Sequence, residues 1–409
     1  MYNKSGSGGG FLEICGIIAE FDPFHLGHQH LFRAVREQTG CDYIVCVLST
    51  AFLQRGTPGL FSTRDRARMA LEAGADAVFA LPVSFSCANA DRFALGGVRL
   101  LSALGVVTAQ AFGCEDAEDG ETLQLAAQYL NDEPDAFKAA LHDRLLTGMP
   151  YPQVQAEALE AACGIRAGLL ASPNNILAVA YLRELMRLDR PVRPVFIQRK
   201  GSRSETENDH DAPLPSSAIR KKILQEGPDS VRGNVPASTA EIISECIKEG
   251  RYCRPESLTQ ALLYCLYTGS PSEWARYTDS GEGLEHRLQK ALDQHPWSRE
   301  ELLSLLKTRR YTHAALQRWL SRIMLGITQD RLAPEPACLR LLGFLQSAQP
   351  LMRSIQENAS LPLVTKPAYG KEYLAEDARA ELIWSLGAGR PESLYEQSPV
   401  VLSSAAEDI

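Results

Sequence analysis

The feature that most limits what this chain can fold into is a regular alternation of short β-branched runs with longer amphipathic ones from Glu13 to about Ile197. EICGIIAE (13–20), DYIVCVL (42–48), AVFAL (77–81), VVTAQAFG (106–113) and RPVFIQ (193–198) read as strands. Between them, GHQHLFRAVREQ, STRDRARMALEAG, NADRFALGGVRLLSALG and PNNILAVAYLRELMRL read as helices. Strands separated by helices cannot be joined by hairpins, so they lie parallel with right-handed crossovers. The alternation predicts an α/β fold built on a Rossmann-like doubly wound parallel sheet, in which ligands sit beyond the carboxyl ends of the strands.

The pattern breaks after Gln198 in the polar stretch RKGSRSETENDHDAPLP, which reads as a loop, and SSAIRKKILQEG then reads as a helix. From about Pro236 to Gln349 nearly every segment reads as helical. These breaks divide the chain into a first α/β domain over 13–235, an α-helical C-terminal domain over 236–366 and a helical tail over 367–409. The Ser/Gly-rich opening, residues 1–12, reads as a tag or flexible leader.

No run of about eighteen uncharged apolar residues occurs, and no secretory signal pattern opens the chain, so a cytoplasmic protein with no membrane partner is expected. The 10 cysteines fall at irregular spacings without a C-x-x-C pair, which predicts free thiols and no structural metal. A net charge of -8 argues against coating nucleic acid through overall charge, but not against a local basic patch.

The first strand runs into Phe21-Asp22-Pro23-Phe24-His25-Leu26-Gly27-His28, after which a helix begins. Pro23 and Gly27 permit a tight turn, and His25 and His28 straddle the helix start, where free backbone N–H groups and the positive end of the helix dipole favour phosphate. Their imidazoles could add hydrogen bonds to the oxygens of a leaving pyrophosphate as charge builds there. Two other readings stay open: a metal pair, which lacks further ligands nearby, and two histidines capping a helix for stability alone.

A second local feature lies far downstream. Lys307, Arg309, Arg310, Arg318 and Arg322 occur in a stretch without Asp or Glu, interleaved with Tyr311 and Trp319. Cations neutralise nucleic-acid phosphates and aromatic rings stack on unpaired bases. At helical spacing, Leu316, Trp319, Leu320 and Ile323 make an apolar stripe, which makes Trp319 a core residue and predicts that the cations lie on the opposite face. A solvated basic helix is the competing reading.

The H-x-G-H element is similar to that of the nucleotidyltransferase superfamily. The order EFDPFHLGHQHL, FLQRG (52–56), RMALEAGAD (68–76), NADRFALGGVRLL (89–101), FGCE (112–115), PNNIL (173–177), HD (210–211) and SSAIRK (216–221) resembles the bacterial tRNA(Met) cytidine acetate ligase family. EGLEHRL (282–288), KTRRYTHAALQRWLSRIMLGI (307–327), LLGF (341–344) and LPLVTK (361–366) extend the resemblance through the helical half. It implies a ligase that activates acetate with ATP, releasing pyrophosphate, and acetylates the N4 amine of the wobble cytidine of elongator tRNA(Met), with Mg2+ carried by the phosphates.

The same resemblance implies that ATP is bound by Ile18, Ala19, Glu20, Phe21, Asp22, Pro23, Phe24, His25, Gly27, His28 and Leu31, with His25 and His28 catalytic at the phosphates. It adds Gly113, Asn174 or Asn175, Arg199, Ser217 and Arg220 as nucleotide contacts, and Lys307, Arg309, Arg310, Arg318 and Arg322 as the tRNA surface. Each has a structural reading beside it: a turn glycine at 113, a helix N-cap at Asn174, a solvated cation at Arg199, a capping serine beside an exposed arginine at 216–220.

The chain departs from the family pattern at Asp22, where an Asn is usual, at Ser49-Thr50-Ala51, and at Pro215-Ser216-Ser217-Ala218. A carboxylate beside a triphosphate is repulsive unless it helps hold Mg2+ or points away. Two alternative functions follow: a small-molecule adenylyltransferase, and a diverged relative that binds nucleotide or tRNA without catalysis.

Overall fold

The structure is a computed structural model that describes residues 12–146, 149, 151–170, 172–199, 213–277 and 283–406. The leader, most of the polar stretch after Arg199 with His210-Asp211, and Glu282 lie outside the described residues.

The five predicted strands form where the apolar runs place them: β1 (Ile14–Ala19), β2 (Tyr43–Ser49), β3 (Ala77–Leu81), β4 (Ala109–Cys114) and β5 (Arg193–Gln198). β1, β2 and β3 are buried on both faces over nearly their whole length, which suits continuous β-branched and apolar runs to a sheet covered by helices. All five are parallel to their neighbours, in the order β5-β4-β1-β2-β3. Chain connections leave β1 toward β2 on one side, and β4 returns on the other. A crevice therefore opens at the carboxyl end of β1.

The crossover helices are α1 (Leu26–Thr39), α2 (Thr63–Glu72), the single turn α3 (Val83–Ser86) and α4 (Ala90–Ala103). Then come α5 (Gly120–Asp132), α6 (Asp135–Leu145), α7 (Tyr151–Cys163) and α8 (Pro173–Leu185). α4 packs so closely on β1 that a Cβ at Gly97 would meet the Ile18 side chain. Beyond β5 lie α9 (Ser216–Glu226), α10 (Ala237–Lys248), α11 (Thr259–Tyr267), the single turn α12 (Pro271–Trp274), α13 (Leu284–Leu292), α14 (Arg299–Leu306) and α15 (His313–Leu325).

The expectation that nearly every segment of 236–349 is helical fails at one place. Leu339–Leu345 is a strand, β6, running antiparallel to β3 at the edge of the main sheet. Two short strands, β7 (Leu363–Val364) and β8 (Val400–Leu402), pair parallel with β6. The run LRLLGFL is apolar on both faces but for Arg340, so periodicity alone does not separate a buried strand from a buried helix segment. α16 (Gln349–Asn358) and α17 (Ala375–Gly387) complete the chain.

Two large hydrophobic cores result. The first surrounds the sheet and takes in Ile242, Ile243 and Cys246 of α10 together with Leu339, Leu341 and Leu342 of β6. The second joins α11–α15 to Ala380 and Trp384 of α17 and to Ala51, Phe52, Val83 and Cys87 from the ends of β2 and β3. The helical portion thus rests directly on the carboxyl edge of the sheet. No helix among the described residues is long and apolar enough to cross a membrane, and all 10 cysteines are free.

Candidate active site at the end of the first strand

The turn between β1 and α1 is set by aromatic packing. Phe21 has a left-handed backbone (φ 45), a conformation that costs a non-glycine residue about 1–3 kcal/mol and persists only where its surroundings over-determine it. Here the surroundings are edge-on contacts of Phe21 with Phe24, Phe32 and His28, at centroid distances of 4.9, 5.8 and 4.9 Å. Phe21 and Phe24 are core residues, as is Ile18, and Leu31 packs against the same core.

His25 is the N-cap of α1, and a reciprocal capping box joins it to His28. The Gly27 N–H donates to His25 Nδ1 at 3.0 Å, and the His25 N–H donates to His28 Nδ1 at 3.2 Å. The rings stack at 3.8 Å between centroids. Burial pushes the His25 pKa down to about 3, helped by the Arg199 charge, and burial followed by the His25 and Arg199 charges holds His28 well below 6.5. Both rings are therefore neutral near pH 7. Since each Nδ1 accepts a backbone N–H, each ring carries its proton on Nε2. The capping reading and the donor reading are thus compatible: the cap fixes the tautomer, and the tautomer gives each ring one Nε2–H donor.

Arg199 follows β5, its N–H donating to Cys114 O at 3.0 Å, and its guanidinium donates to Asn174 Oδ1 at 3.2 Å. Gly113 lies under it, since a Cβ there would stand 3.1 Å from Arg199 Cγ. The N-cap of α8 is Ser172, not Asn174, because Pro173 occupies the first helical position. Asn174 is left to bridge Arg199 and Glu115. Asn175 is fully buried, accepting from Glu115 N and donating to Asp116 Oδ2 and Leu169 O, so it shapes the turn after β4 rather than facing a ligand.

α9 brings the last predicted group. Its N-cap position is Pro215 and no side chain caps it, so Ser217 is exposed in an uncapped first turn and not a capping serine. Arg220, one turn on, donates to Asp22 O at 2.8 Å and stands 3.3 Å from Asp22 Oδ2. The Asp22 carboxylate is buried and also accepts from Leu60 N at 2.8 Å, so it points into the protein. Leu26 N is satisfied by Asn234 O. His25, His28, Gly27, Gly113, Asn174 and Arg199 gather at the carboxyl ends of β1, β4 and β5, with Arg220 held beside them through Asp22.

Sequence reasoning missed one support of this site, Arg66, and did not foresee the structural partner of Glu20. Arg66, 0% exposed, donates to Glu20 O at 2.7 Å, Thr50 O at 2.6 Å and Phe61 O at 3.1 Å, tying the ends of β1 and β2 together. Glu20, whose carboxyl is raised by burial, accepts from Gln54 N at 2.7 Å. An arginine on the buried side of the amphipathic α2 was the available signal for the first. The Ser49 and Thr50 hydroxyls are buried without hydrogen-bond partners among the described residues.

The predicted RNA-binding set divides. Lys307, Arg309 and Arg310 are exposed in the loop between α14 and α15. Arg318 and Arg322, 8% and 2% exposed, are not on an outward face: Arg318 donates to Gln54 O and Arg322 to Cys87 O. Buried loop carbonyls at the sheet edge need donors, and arginines supply them where a helical-wheel reading assigns charge to solvent. Trp319 is fully buried, as expected.

A parallel sheet carrying an H-x-G-H turn at its central crevice is the arrangement of a HIGH-type nucleotidyl transferase, and residues 12–397 match the family described as HIGH Nucleotidyl Transferase. Within that class the chain belongs to the tRNA(Met) cytidine acetate ligase family. A protein of that name from Acetivibrio thermocellus is 33% identical over 368 residues, covering 87% of this chain and 88% of that protein. One from Clostridium perfringens is 31% identical over 407 residues, covering 95% and 100%. The crystal structure of Thermotoga maritima TmcAL bound with alpha-thio ATP superimposes with a TM-score of 0.88 at 27% identity, covering 96% of this chain and all of that one.

Proposed function

We propose that this chain is an ATP-dependent ligase that forms acetyl-adenylate and transfers the acetyl group to the N4 amine of the wobble cytidine of elongator tRNA(Met). The observation that carries the reading is the pair of neutral, stacked imidazoles whose Nε2–H donors are fixed by the capping box, beside Arg199. In the first step an acetate oxygen attacks the α-phosphorus of ATP and the bond to the bridging oxygen breaks, so that charge builds on the leaving pyrophosphate. His25, His28 and Arg199 donate to those oxygens; Gly113 lets the nucleotide approach the backbone, and Asn174 orients Arg199. In the second step the cytidine amine attacks the acyl carbon and AMP leaves.

Preorganised donors of this kind are worth about 10²–10³ in kcat each, and no protein nucleophile is required. Mg2+ fits as a companion of the triphosphate, whose charge it would neutralise. Among the described residues no group of three His, Cys, Asp or Glu side chains could hold a metal ion, and Asp22 is engaged by Leu60 and Arg220. Within the helical portion, 236–366, the exposed Lys307, Arg309 and Arg310 are the proposed tRNA contacts, and the uncapped first turn of α9 with Ser217 and Arg220 is proposed for the triphosphate.

The test is incorporation of labelled acetate into an elongator tRNA(Met) transcript with ATP and Mg2+, with His28→Ala as control. Label in the RNA that is lost in the control supports both the reaction and the role of His28. Absence of label with ATP still bound would overturn the acetate reading and favour a small-molecule adenylyltransferase or a binder without turnover.

A further inference from the structure

β2 leads into a tight turn held from both cores. Within it, Leu53 N donates to Thr57 O at 2.9 Å and Gly56 N to Leu53 O at 2.8 Å, and Phe52 bridges to Pro58. From the sheet side, the Glu20 carboxylate accepts from Gln54 N. From the helical side, Arg318 donates to Gln54 O at 3.3 Å, Arg299 to Gly56 O at 2.9 Å, and the Ser321 hydroxyl also donates to Gly56 O. Gly56 has φ 80, and a Cβ there would run into the backbone of Gln317 and Arg318. Gln54 and Gly56 are thereby tied to Glu20 after β1 and to α14 and α15.

At the tip of this clamped turn stands Arg55. It is exposed and makes no hydrogen bond or ion pair to any described residue. Arg66, Arg68, Arg299 and Arg318, which neighbour it along the chain or across the clamp, all have partners. An unpaired arginine on a mobile loop is a solvated cation; one whose flanking residues are fixed by five hydrogen bonds presents its guanidinium from a fixed backbone position, which lowers the ordering cost of an anion contact.

Its place in the sheet narrows the anion. β2 lies on the opposite flank of β1 from β4 and β5, whose ends carry Gly113 and Arg199, so Arg55 does not share the nucleotide flank. Its turn touches α15 at Gln317–Arg318, and α15 begins at His313. At a rise of about 1.5 Å per residue that contact lies about 6–8 Å along the helix, and the exposed Lys307, Arg309 and Arg310 come just before its first turn. Arg55 extends this cation set to the crevice edge.

We propose that Arg55 contacts a backbone phosphate of the tRNA beside the nucleotide being modified, holding the RNA at the seam between the β1 crevice and the helical portion. The proposal rests on the reading of the chain as a tRNA-acetylating ligase. Electrostatic contact with one phosphate contributes to affinity without regard to sequence and in proportion to counterion release.

The experiment measures binding of an elongator tRNA(Met) transcript to the full chain across a salt series, for wild type, Arg55→Ala and Arg55→Lys, with KM for ATP and for acetate measured in parallel. Arg55→Ala should weaken tRNA binding roughly tenfold at low salt and reduce the slope of log K against log salt by about 1, while both KM values and Tm stay as in wild type. Arg55→Lys should restore most of the slope. Equal affinity and slope in wild type and Arg55→Ala, or a defect that moves to KM for ATP or acetate, overturns the proposal. A wild-type chain that binds no tRNA overturns the ligase reading itself, a result that cannot be mistaken for the first.

Discussion

At the scale of single residues, the two histidines work through what they are forced to be. Each is neutral and each is fixed as the Nε2–H tautomer by a backbone donor on Nδ1. His28→Ala should lower kcat by about 10²–10³ while leaving KM for ATP within a few-fold, measured by acetate incorporation, because a donor aimed at developing charge acts in the transition state. The depressed pKa of His25 also links it to folding. The folded protein binds fewer protons than the unfolded chain between pH 3 and 6.5, so stability is fully present above 6.5 and falls as pH drops through that window. The slope is about 1.4 kcal/mol per pH unit from this group. Urea denaturation at pH 7.5 and 5.5 should show the loss, and His25→Gln should reduce it, with His28 keeping its own share.

Asp22 gives a prediction of opposite kind. Its carboxylate holds Leu60 N and faces Arg220. Asp22→Asn keeps an acceptor for Leu60 and removes the charge that holds the guanidinium, so KM for ATP should fall a few-fold if Arg220 meets phosphate. Asp22→Ala strands a buried N–H, which costs about 1–3 kcal/mol of stability in a urea titration. The H-x-G-H turn was legible in sequence because Pro, Gly and His speak through local geometry. The inward aim of Asp22 was not legible, since its partners lie on the loop before α2 and on α9.

At the scale of elements, α15 illustrates how a charged helix misleads. Its apolar stripe was readable, and Trp319 is in the core as its spacing implied. Helical spacing places Arg318 and Arg322 outward because nothing in the helix itself reveals that carbonyls of Gln54 and Cys87 await them. Arg322→Ala should therefore destabilise the fold by about 2–4 kcal/mol, by analogy with other buried truncations that leave polar groups unpaired. Arg310→Ala should leave Tm unchanged and weaken tRNA binding. Thermal unfolding and tRNA binding measured on both variants separate the two roles. The first five strands and the helices α1, α2, α4 and α8 were legible, for the opposite reason: their burial is settled by their own periodicity.

At the scale of the molecule, the sheet is not finished by the part of the chain that begins it. β6 covers the edge of β3, and β8 covers β6. A fragment ending near Arg331 should expose the β3 edge and aggregate or unfold, as judged by solubility and circular dichroism, although it retains the strands that carry the site. LRLLGFL hid this role in sequence, because so short a run, apolar but for Arg340, fits a strand or a buried helix turn equally well.

The late arrival of β6 also bears on synthesis. Translation delivers β1 to β5 first, then α9 to α15, and only then the strand that seals β3. The nascent chain therefore carries its histidine turn on a sheet whose β3 flank stays open until β6 has been made. Completion of the β3 edge, and not emergence of the motif, is what closes the sheet.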